Sequence, residues 1–424
     1  MTQSLQFLLA HACCLVFLAP VFAQSDSKME DWSQWRGPNR DGIISSDKWP
    51  EQLSGDTLSK SWEVKLGPSY SGPIVVGDRV FVTETVDKKM ECVRALDRNT
   101  GKQIWRTEWK GSMTVPFFAK SNGDWIRSTP AFDDNRLYVA GMRDVLLCLD
   151  ARNGKEIWRV DFVKQLKTPL PNFGFVCSPL VVDDAVYVQA AASFVKLDKK
   201  TGKILWRALV DEGGMNGSAF SSPVVTKIAG KRQLVVQTRT KLAGVDIENG
   251  KTLWEKQIPA FRGMNILTPS IIDDSIFTST YGGTSMLLDL VQQNGKFETK
   301  SKWKNGKQGY MSSPVVVEGH VYLHLRNQRF TCIDLATGDV KWTTKLFGKY
   351  WSMVANGNLI LALDEQGDLR LIRANPNKFD LIDTRKVADN SWAHISISGN
   401  DIFVRDLNVV SAFKWKTDKT EPAR

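Results

Sequence analysis

The sequence predicts an all-β fold, an eight-bladed β-propeller of four-stranded antiparallel blades whose ring is closed by an N-terminal strand. Three observations predict it: a turn-and-tryptophan element that recurs, a proline-led strand that precedes each copy, and a lone tryptophan strand near the N-terminal side. Four-stranded units that repeat every ~40–50 residues are typical of propeller blades. A chain of 424 residues would otherwise favour two or three domains.

The first repeated element is a tight turn followed by a strand with one tryptophan. Its first copy is LDRNTGKQIW, residues 96–105; four more copies keep the same spacing, and a sixth has Gly and Trp eight residues apart instead of four. In such a turn, Asp accepts backbone hydrogen bonds and Gly takes a left-handed conformation. One tryptophan at the same place per repeat predicts packing between blades. The predicted blade tryptophans are Trp62, Trp105, Trp158, Trp206, Trp254, Trp303 and Trp342.

The second element is a Ser/Thr-Pro pair followed by two short runs of β-forming residues. Residues 129–139, TPAFDDNRLYV, are an example in which polar residues separate the two runs. Runs separated in this way predict a β-hairpin. Proline suits the start of a strand because no ladder donor is needed there. Two degenerate copies without proline begin at Trp351 and Trp392.

The last repeat and the first strand complement each other. The eighth unit ends at Phe413 without a tryptophan strand, whereas residues 60–65 are a tryptophan strand without a unit before it. Pairing these two strands removes an exposed sheet edge. Residues 61–416 then give 44.5 residues per blade. We therefore predict one propeller over residues 60–416, preceded by a lead-in over residues 24–59 and followed by a tail over residues 417–424.

Residues 1–23 are predicted to be a secretory signal peptide. Residues 7–19 are almost wholly apolar, and the VFA of residues 21–23 resembles a small-residue cleavage site. We therefore expect a secreted or periplasmic protein of the cell envelope, with no transmembrane span in the mature chain. The remaining cysteines form no CxxC pair, so we expect buried free thiols at Cys92, Cys148, Cys177 and Cys332.

The basic charge does not predict nucleic-acid binding. The chain has 56 Lys and Arg against 46 Asp and Glu, but five lysines occupy the same turn position and are spread around the ring. No P-loop, HExxH or zinc-finger spacing is present. His320 and His324 lie on one predicted strand, where four residues span ~13 Å, too far for one metal ion. We expect no metal site.

The connections from each tryptophan strand to the next proline-led strand all emerge on one face, the funnel face. They are longer and more aromatic than the opposite turns, and loops on a rigid scaffold are where binding residues concentrate. These side chains either bind a ligand or plug the channel, and the sequence leaves both open. The candidate binding residues are Trp125, Arg127, Phe175, Phe220, Arg262, Asn265, Tyr310, Trp351, Trp392 and His394.

Over residues 60–416 the Asp-x-x-Thr-Gly-Lys-x-x-Trp unit resembles the repeat of quinoprotein (PQQ) dehydrogenase-type propellers. Residues 32–42, WSQWRGPNRDG, resemble the opening of secreted PQQ-repeat-like bacterial proteins of the planctomycete type, which include BamB-like proteins. The resemblance implies an eight-bladed propeller outside the cytoplasm and no particular reaction.

Two departures from the quinoprotein enzymes guide the functional expectation. Many of those enzymes carry an adjacent-cysteine disulfide, whereas here the adjacent pair, Cys13 and Cys14, lies in the predicted signal peptide. Their calcium ligands also find no match. We therefore expect a monomeric, non-catalytic propeller without cofactor that binds an envelope or extracellular protein, a peptide or a glycan through its funnel face. The alternative is a PQQ-dependent alcohol dehydrogenase-like enzyme with PQQ and calcium.

Overall fold

Within residues 31–46, 48–211 and 218–416, which the computed structural model describes, the strands form eight sheets arranged as blades. Seven sheets have four strands, and one has a fifth. Neighbouring strands within the four-stranded units are antiparallel. The predicted eight-bladed propeller is confirmed. The predicted signal peptide and C-terminal tail lie outside the described residues.

The first half of the described chain forms two N-terminal strands and four complete blades. In chain order these strands are β1 Ile43–Ile44, β2 Leu58–Lys65, β3 Ile74–Val76, β4 Arg79–Val86, β5 Met90–Asp97, β6 Gln103–Lys110, β7 Ala131–Asp133, β8 Arg136–Gly141, β9 Val145–Asp150, β10 Glu156–Asp161, β11 Leu180–Val182, β12 Ala185–Ala190, β13 Ser193–Asp198, β14 Ile204–Ala208, β15 Val224–Ile228, β16 Lys231–Gln237, β17 Lys241–Asp246 and β18 Thr252–Gln257.

The second half supplies the other four blades. Its strands are β19 Ser270–Ile272, β20 Ser275–Ser279, β21 Ser285–Gln293, β22 Lys296–Asn305, β23 Val315–Val317, β24 His320–His324, β25 Arg329–Asp334, β26 Val340–Leu346, β27 Ser352–Asn356, β28 Leu359–Leu363, β29 Asp368–Arg373, β30 Asp380–Lys386, β31 Ser396–Ser398, β32 Asp401–Asp406 and β33 Val409–Trp415. The described helical segments are short: α1 Phe162–Leu166 and the 3-10 turns Phe117–Asn122 and Phe261–Gly263.

Blades are numbered from β3–β6, blade 1, to β27–β30, blade 7, and β31–β33 with β2 form blade 8. The first strand of each blade lies at the centre, where β3 contacts β31, β7 contacts β11 and β23 contacts β27. The proline of each Ser/Thr-Pro pair immediately precedes such an inner strand, as Pro130 precedes β7. Its missing N–H therefore costs the sheet no hydrogen bond.

The ring closes as the sequence predicts. Strand β2 pairs antiparallel with β33, so that Trp62 lies opposite Ala412 and Leu58 lies opposite Trp415. The closing strand begins at Leu58, two residues before the predicted start of the propeller at residue 60. Because β33 gains a partner, its edge no longer offers a template for another chain.

The hydrophobic core is divided among the spaces between neighbouring blades. Between blades 1 and 2, for example, Phe81 and Trp105 pack with Leu137 and Leu147. The blade tryptophans contribute to these spaces, and six of them donate Nε1–H to a backbone carbonyl of the next blade at 2.7–3.2 Å. These six are Trp62, Trp105, Trp158, Trp206, Trp303 and Trp342.

Five of these six contacts place a tryptophan ring against the turn glycine of the next blade, and Trp342, which donates to Asn375, is the one without a glycine. A Cβ atom built on Gly154 would lie 2.5 Å from the Trp105 ring, and one on Gly202 would lie 2.7 Å from the Trp158 ring. Both glycines have positive φ. Glycine is therefore required at this position for two reasons, the backbone conformation and the close approach of the tryptophan ring.

Trp254 is the exception, and the insertion in the sixth repeat explains it. The insertion lengthens the β21–β22 hairpin, so its turn lies away from Trp254, and nothing lies within 4 Å of a Cβ built on Gly295. Trp254 instead donates to Gln233 Oε1 of its own blade at 2.7 Å. Phe297 of the extended hairpin packs against the cluster that contains Trp254.

Two smaller predictions are also met in the described residues. In the turns, Asp97 Oδ1 accepts hydrogen bonds from the N–H groups of Asn99 and Thr100, and Asp198 does the same in its own turn. The four cysteines of the described chain are free and buried. Among the described residues, no helix has both the length and the apolar character that crossing a membrane requires.

Candidate functional site

All eight connections between an outer strand and the next inner strand line one cavity on the funnel face. Its volume is about 300 Å³. Each connection contributes at least one wall residue, and one from each is Tyr70, Arg127, Val176, Phe220, Met264, Tyr310, Trp351 and Trp392. The arrangement follows from the ring, because every such connection must return from the rim to the centre.

The lead-in fills the channel beneath this cavity. Trp32 exchanges two backbone hydrogen bonds with Val75 of blade 1, at 2.8 and 3.0 Å. Strand β1 pairs in parallel with β27 of blade 7, and the Ser33 carbonyl accepts from Phe132 of blade 2. The lead-in thus crosses the channel, and Trp35 lines the cavity from the lead-in. The side chains of the funnel face therefore line a cavity, and the channel below it is filled by the lead-in.

Two arginines of the lead-in are buried within the ring. Arg36 and Arg40 are 1% and 3% exposed. Arg40 donates to the carbonyls of Ser178 and Pro179 at 3.0 and 2.8 Å, and Arg36 donates to the Pro314 carbonyl. Burial lowers the pKa of each guanidinium to about 10. Both therefore remain protonated at neutral pH.

These two cations also face Trp35. The guanidinium carbons of Arg36 and Arg40 lie 5.6 and 5.7 Å from the centroid of the Trp35 ring. Such distances are within the range of cation–π attraction. The Trp35 ring therefore forms the base of the cavity, and two buried positive charges lie next to it.

The structure brings seven of the ten candidate residues to the cavity. These seven are Arg127, Phe220, Arg262, Tyr310, Trp351, Trp392 and His394. Trp351 is a buried wall, 1% exposed, that stacks on His324 with 4.9 Å between ring centroids. The alternative of a channel filled by these side chains does not hold.

Three candidates lie outside the cavity and need correction. Phe175 is buried and packs on Phe162 with centroids 6.1 Å apart. The Asn265 amide donates to the carbonyls of Thr238 and Arg239 at 3.2 and 3.0 Å, so it stabilises its own connection and does not face the cavity. Trp125 does not line the cavity, because its side chain is hydrogen-bonded to Tyr70, which does.

His394 is a neutral member of the wall. Its Nδ1 lies 3.0 Å from Ser352 Oγ, and its ring meets Trp35 edge-on with centroids 5.2 Å apart. Burial and the nearby positive charge of Arg36 lower the pKa of His394 to about 3. It therefore carries no charge at neutral pH.

Two arginines line the cavity itself. The Arg127 guanidinium donates to the Gly123 carbonyl at 2.7 Å and lies over Tyr70 at 5.6 Å, while its buried Nε has no hydrogen-bond partner. Burial lowers the pKa of Arg127. Arg262 is exposed and lies 5.1 Å from the Phe261 ring centroid. Among the described residues that line the cavity there is no Asp or Glu.

The aromatic residues around the opening form two groups. We call Tyr281, Tyr310, Tyr350, Trp392 and Tyr70 the tyrosine arc; successive ring centroids are 4.2–6.2 Å apart. We call Phe117, Phe118, Phe173 and Phe220 the phenylalanine arc; its centroids are 5.6–6.4 Å apart. The first arc carries hydroxyl groups, and the second is wholly apolar.

Tyr70 and Trp35 were not predicted as site residues. A usable signal existed for Tyr70, because it precedes Ser71-Gly72-Pro73 at the position where other connections supply candidates. Trp35 lies far outside the repeats, and only the path of the lead-in brings it to the cavity. Its neighbours Trp32, Arg36 and Arg40 were nevertheless an unusual composition for a simple linker.

The hydroxyl of the Ser/Thr-Pro pair joins neighbouring blades around the cavity, a role that the sequence analysis missed. In five consecutive blades it accepts the N–H of the equivalent residue in the preceding blade. The bonds, 3.0–3.2 Å long, run from Gly72 to Thr129, from Thr129 to Ser178, from Ser178 to Ser222, from Ser222 to Thr268 and from Thr268 to Ser313.

The donor set of the cavity does not fit a calcium-bound quinone. Calcium takes about six to eight oxygen ligands, usually with carboxylates among them. The described cavity lining offers none. Across the described part of the chain, no group of three His, Cys, Asp or Glu side chains is arranged to hold a metal ion. What the lining offers is N–H and O–H donors beside aromatic faces.

Comparison with known proteins gives a family and a shared fold. The family model for outer membrane protein assembly factor BamB matches residues 89–344. BamB of Moranella endobia (strain PCIT) is 22% identical over 371 residues, which cover 82% of this chain and 88% of that protein.

Two solved structures show the same fold. The crystal structure of BamB from Moraxella catarrhalis has a TM-score of 0.63 at 13% identity and covers 87% of this chain and 99% of that one. Quinohemoprotein alcohol dehydrogenase from Comamonas testosteroni has a TM-score of 0.65 at 14% identity and covers 93% of this chain and 82% of that one. Because an assembly factor and an alcohol dehydrogenase have nearly the same TM-score to this chain, overall shape does not decide the function.

Proposed function

This chain belongs to the family of the outer membrane protein assembly factor BamB, and on that premise we propose that it is a non-catalytic scaffold that binds a protein partner through its funnel face. The observation that carries the proposal is the opening of the cavity. There, connections from all eight blades meet, and large apolar side chains face solvent: Phe117 is 83% exposed, and Phe118 and Phe261 are each 48% exposed. Clustered exposed aromatics on a rigid scaffold are typical of binding sites.

We propose that binding needs no cofactor. The cavity lining lacks the carboxylates that a calcium-bound quinone requires. We also propose an extracytoplasmic location, which the signal-like residues 1–23 and the family support. In that setting the partner is a protein or peptide of the cell envelope.

A photo-crosslinking amino acid at Phe117 tests the binding face. Ile157 is the matched control, since it is also apolar and 44% exposed but lies on outer strand β10. We expect one discrete protein adduct in cells that carry the Phe117 probe and none with the Ile157 probe. The same adduct from both positions, or none from Phe117, would refute the funnel face as the binding surface.

Reconstitution tests the absence of catalysis. The purified protein is incubated with PQQ and calcium and assayed for dye-linked oxidation of primary alcohols. We expect neither a stoichiometric quinone absorption band nor alcohol oxidation. If both are seen, the chain is a quinoprotein alcohol dehydrogenase, and the proposal is wrong.

A further inference from the structure

The central cavity offers hydrogen-bond donors and positive charge with almost nothing to balance them. Arg127 and Arg262 line it, and the described lining contains no carboxylate. Asp124, which acts on Arg127 through space, is itself held by the Val115 N–H at 2.8 Å. The buried Nε of Arg127 has no partner. A buried, incompletely bonded cation favours a ligand that brings an anionic acceptor.

The positive charges below the cavity act in the same direction. Arg36 and Arg40 are buried against Trp35, and their side chains donate hydrogen bonds to backbone carbonyls and to the Gln34 side-chain amide oxygen. Within the described residues no ion pair joins either guanidinium to a carboxylate; Asp41 acts on Arg36 only through space, and its Oδ1 already accepts the N–H of Ile43 at 2.8 Å. Because a low-dielectric surrounding screens charge weakly, their field extends into the cavity above.

The hydroxyl groups of the wall are also arranged to donate. Thr129, Ser178 and Ser313 use their oxygens to accept the N–H of the preceding blade. A hydroxyl that already accepts in this way still has its own proton to give. Burial raises the pKa of Tyr310 and Tyr350, so these phenols keep their protons at neutral pH and add two further donors.

The two arcs set the chemistry beside the anion. The phenylalanine arc is an apolar half of the opening, whereas the tyrosine arc, with Arg127 over Tyr70, is the polar half. A cavity of about 300 Å³ holds only a small group, comparable with the lower end of small-ligand sites. The fitting ligand therefore combines a negative charge with an adjacent apolar side chain.

We infer that the cavity is a carboxylate pocket that receives an acidic side chain from a peptide segment of the partner, with an apolar neighbour of that side chain on the phenylalanine arc. The inference rests on the proposed function and names the chemistry of the segment that enters. Arg127 pairs with the carboxylate, and Trp35 contacts the inserted side chain from below.

Two capped peptides test the pocket directly, acetyl-Phe-Glu-Phe-amide and its neutral counterpart acetyl-Phe-Gln-Phe-amide. Binding to the whole protein is measured by calorimetry and by quenching of tryptophan fluorescence. We expect the Glu peptide to bind at least about tenfold more tightly than the Gln peptide, and we expect this preference to shrink as salt is added. Equal affinities would overturn the inference, and so would benzoate binding as tightly as the Glu peptide, since a free aromatic acid would then suffice.

Substitutions identify the side chain that recognises the carboxylate of the Glu peptide. We expect Arg127→Gln to remove the preference for the Glu peptide and leave the affinity for the Gln peptide unchanged. Arg262→Gln, at an exposed position, gives a second variant that keeps the fold if Arg127→Gln does not. Arg152→Gln, on an exposed turn, is the control and should change neither affinity. A preference that survives both cavity substitutions would overturn the inference.

The outcome is separable from that of the proposed function. If the Phe117 adduct still forms in Arg127→Gln protein at the wild-type yield, the funnel face binds its partner without the pocket, and only this inference fails. If the adduct is absent from the wild-type protein, the proposed function itself fails.

Discussion

Individual residues in this protein often serve two neighbouring blades at once. The turn glycines show this most clearly, because five of them combine a positive φ with a tryptophan ring packed close to the Cα atom. Gly154 and Gly295 separate the two requirements. Their φ angles are +76° and +75°, but only Gly154 has a ring, that of Trp105, within contact distance of an added Cβ.

We predict that Gly154→Ala lowers the free energy of unfolding by about 1 to 3 kcal/mol more than Gly295→Ala. The backbone strain is the same in both variants, so the difference measures the overpacking against Trp105. Urea denaturation of the two variants gives the comparison. Equal losses would show that the ring gives way without cost and that glycine is required there only for its conformation.

Among the elements, the connections between blades and the lead-in stabilise the ring, although they contain little regular secondary structure. Five of the proline-led connections carry a hydroxyl that accepts an N–H from the blade before it, so six consecutive blades are linked around the cavity by five hydrogen bonds. Thr268 is one of these links and is 1% exposed.

We predict that Thr268→Val lowers the free energy of unfolding by about 1 to 3 kcal/mol. Valine keeps the shape of threonine but leaves the Ser222 N–H buried without its acceptor, and an unmade buried hydrogen bond costs that amount. Thr268→Ser, which retains the hydroxyl, is the matched control and is expected to lose less than half as much. Denaturation curves for the pair decide the question, and indistinguishable variants would show that the link contributes nothing.

At the scale of the whole molecule, stability depends on ring closure. Strand β33 has seven residues and pairs with β2 on one side and β32 on the other. The ring therefore depends on a strand that comes from the opposite end of the described chain. Opening it would expose a long, largely apolar strand edge.

We predict that a chain beginning at Gly67, which lacks β2 and the lead-in, associates into large species. A chain that begins at Asp31 keeps both and serves as the control, which is expected to stay monodisperse. Light scattering during size-exclusion chromatography measures the difference. A monodisperse, folded chain from Gly67 would contradict the proposed role of β2.

The fold class, the eight blades and the closing strand could all be predicted from the sequence. This is because each blade repeats the same local solutions: a hairpin turn, a proline before the inner strand and a tryptophan on the outer strand. Those patterns depend on residues close together in the chain, and a repeated pattern is visible without knowledge of distant contacts. The same reasoning identified the eight connections and seven of the residues that line the cavity.

The residues that occupy the centre of the ring are visible only in the folded chain. Nothing local in residues 31–46 indicates that Trp35, Arg36 and Arg40 lie inside the ring, since their partners belong to blades far along the chain. The predictions for Asn265 and Phe175 were wrong for the same reason. Some side chains of a connection face the cavity, whereas others pack against the residues that hold the connection in place. Which side a loop residue faces depends on the packing of neighbouring blades, and that packing exists only once the ring has closed.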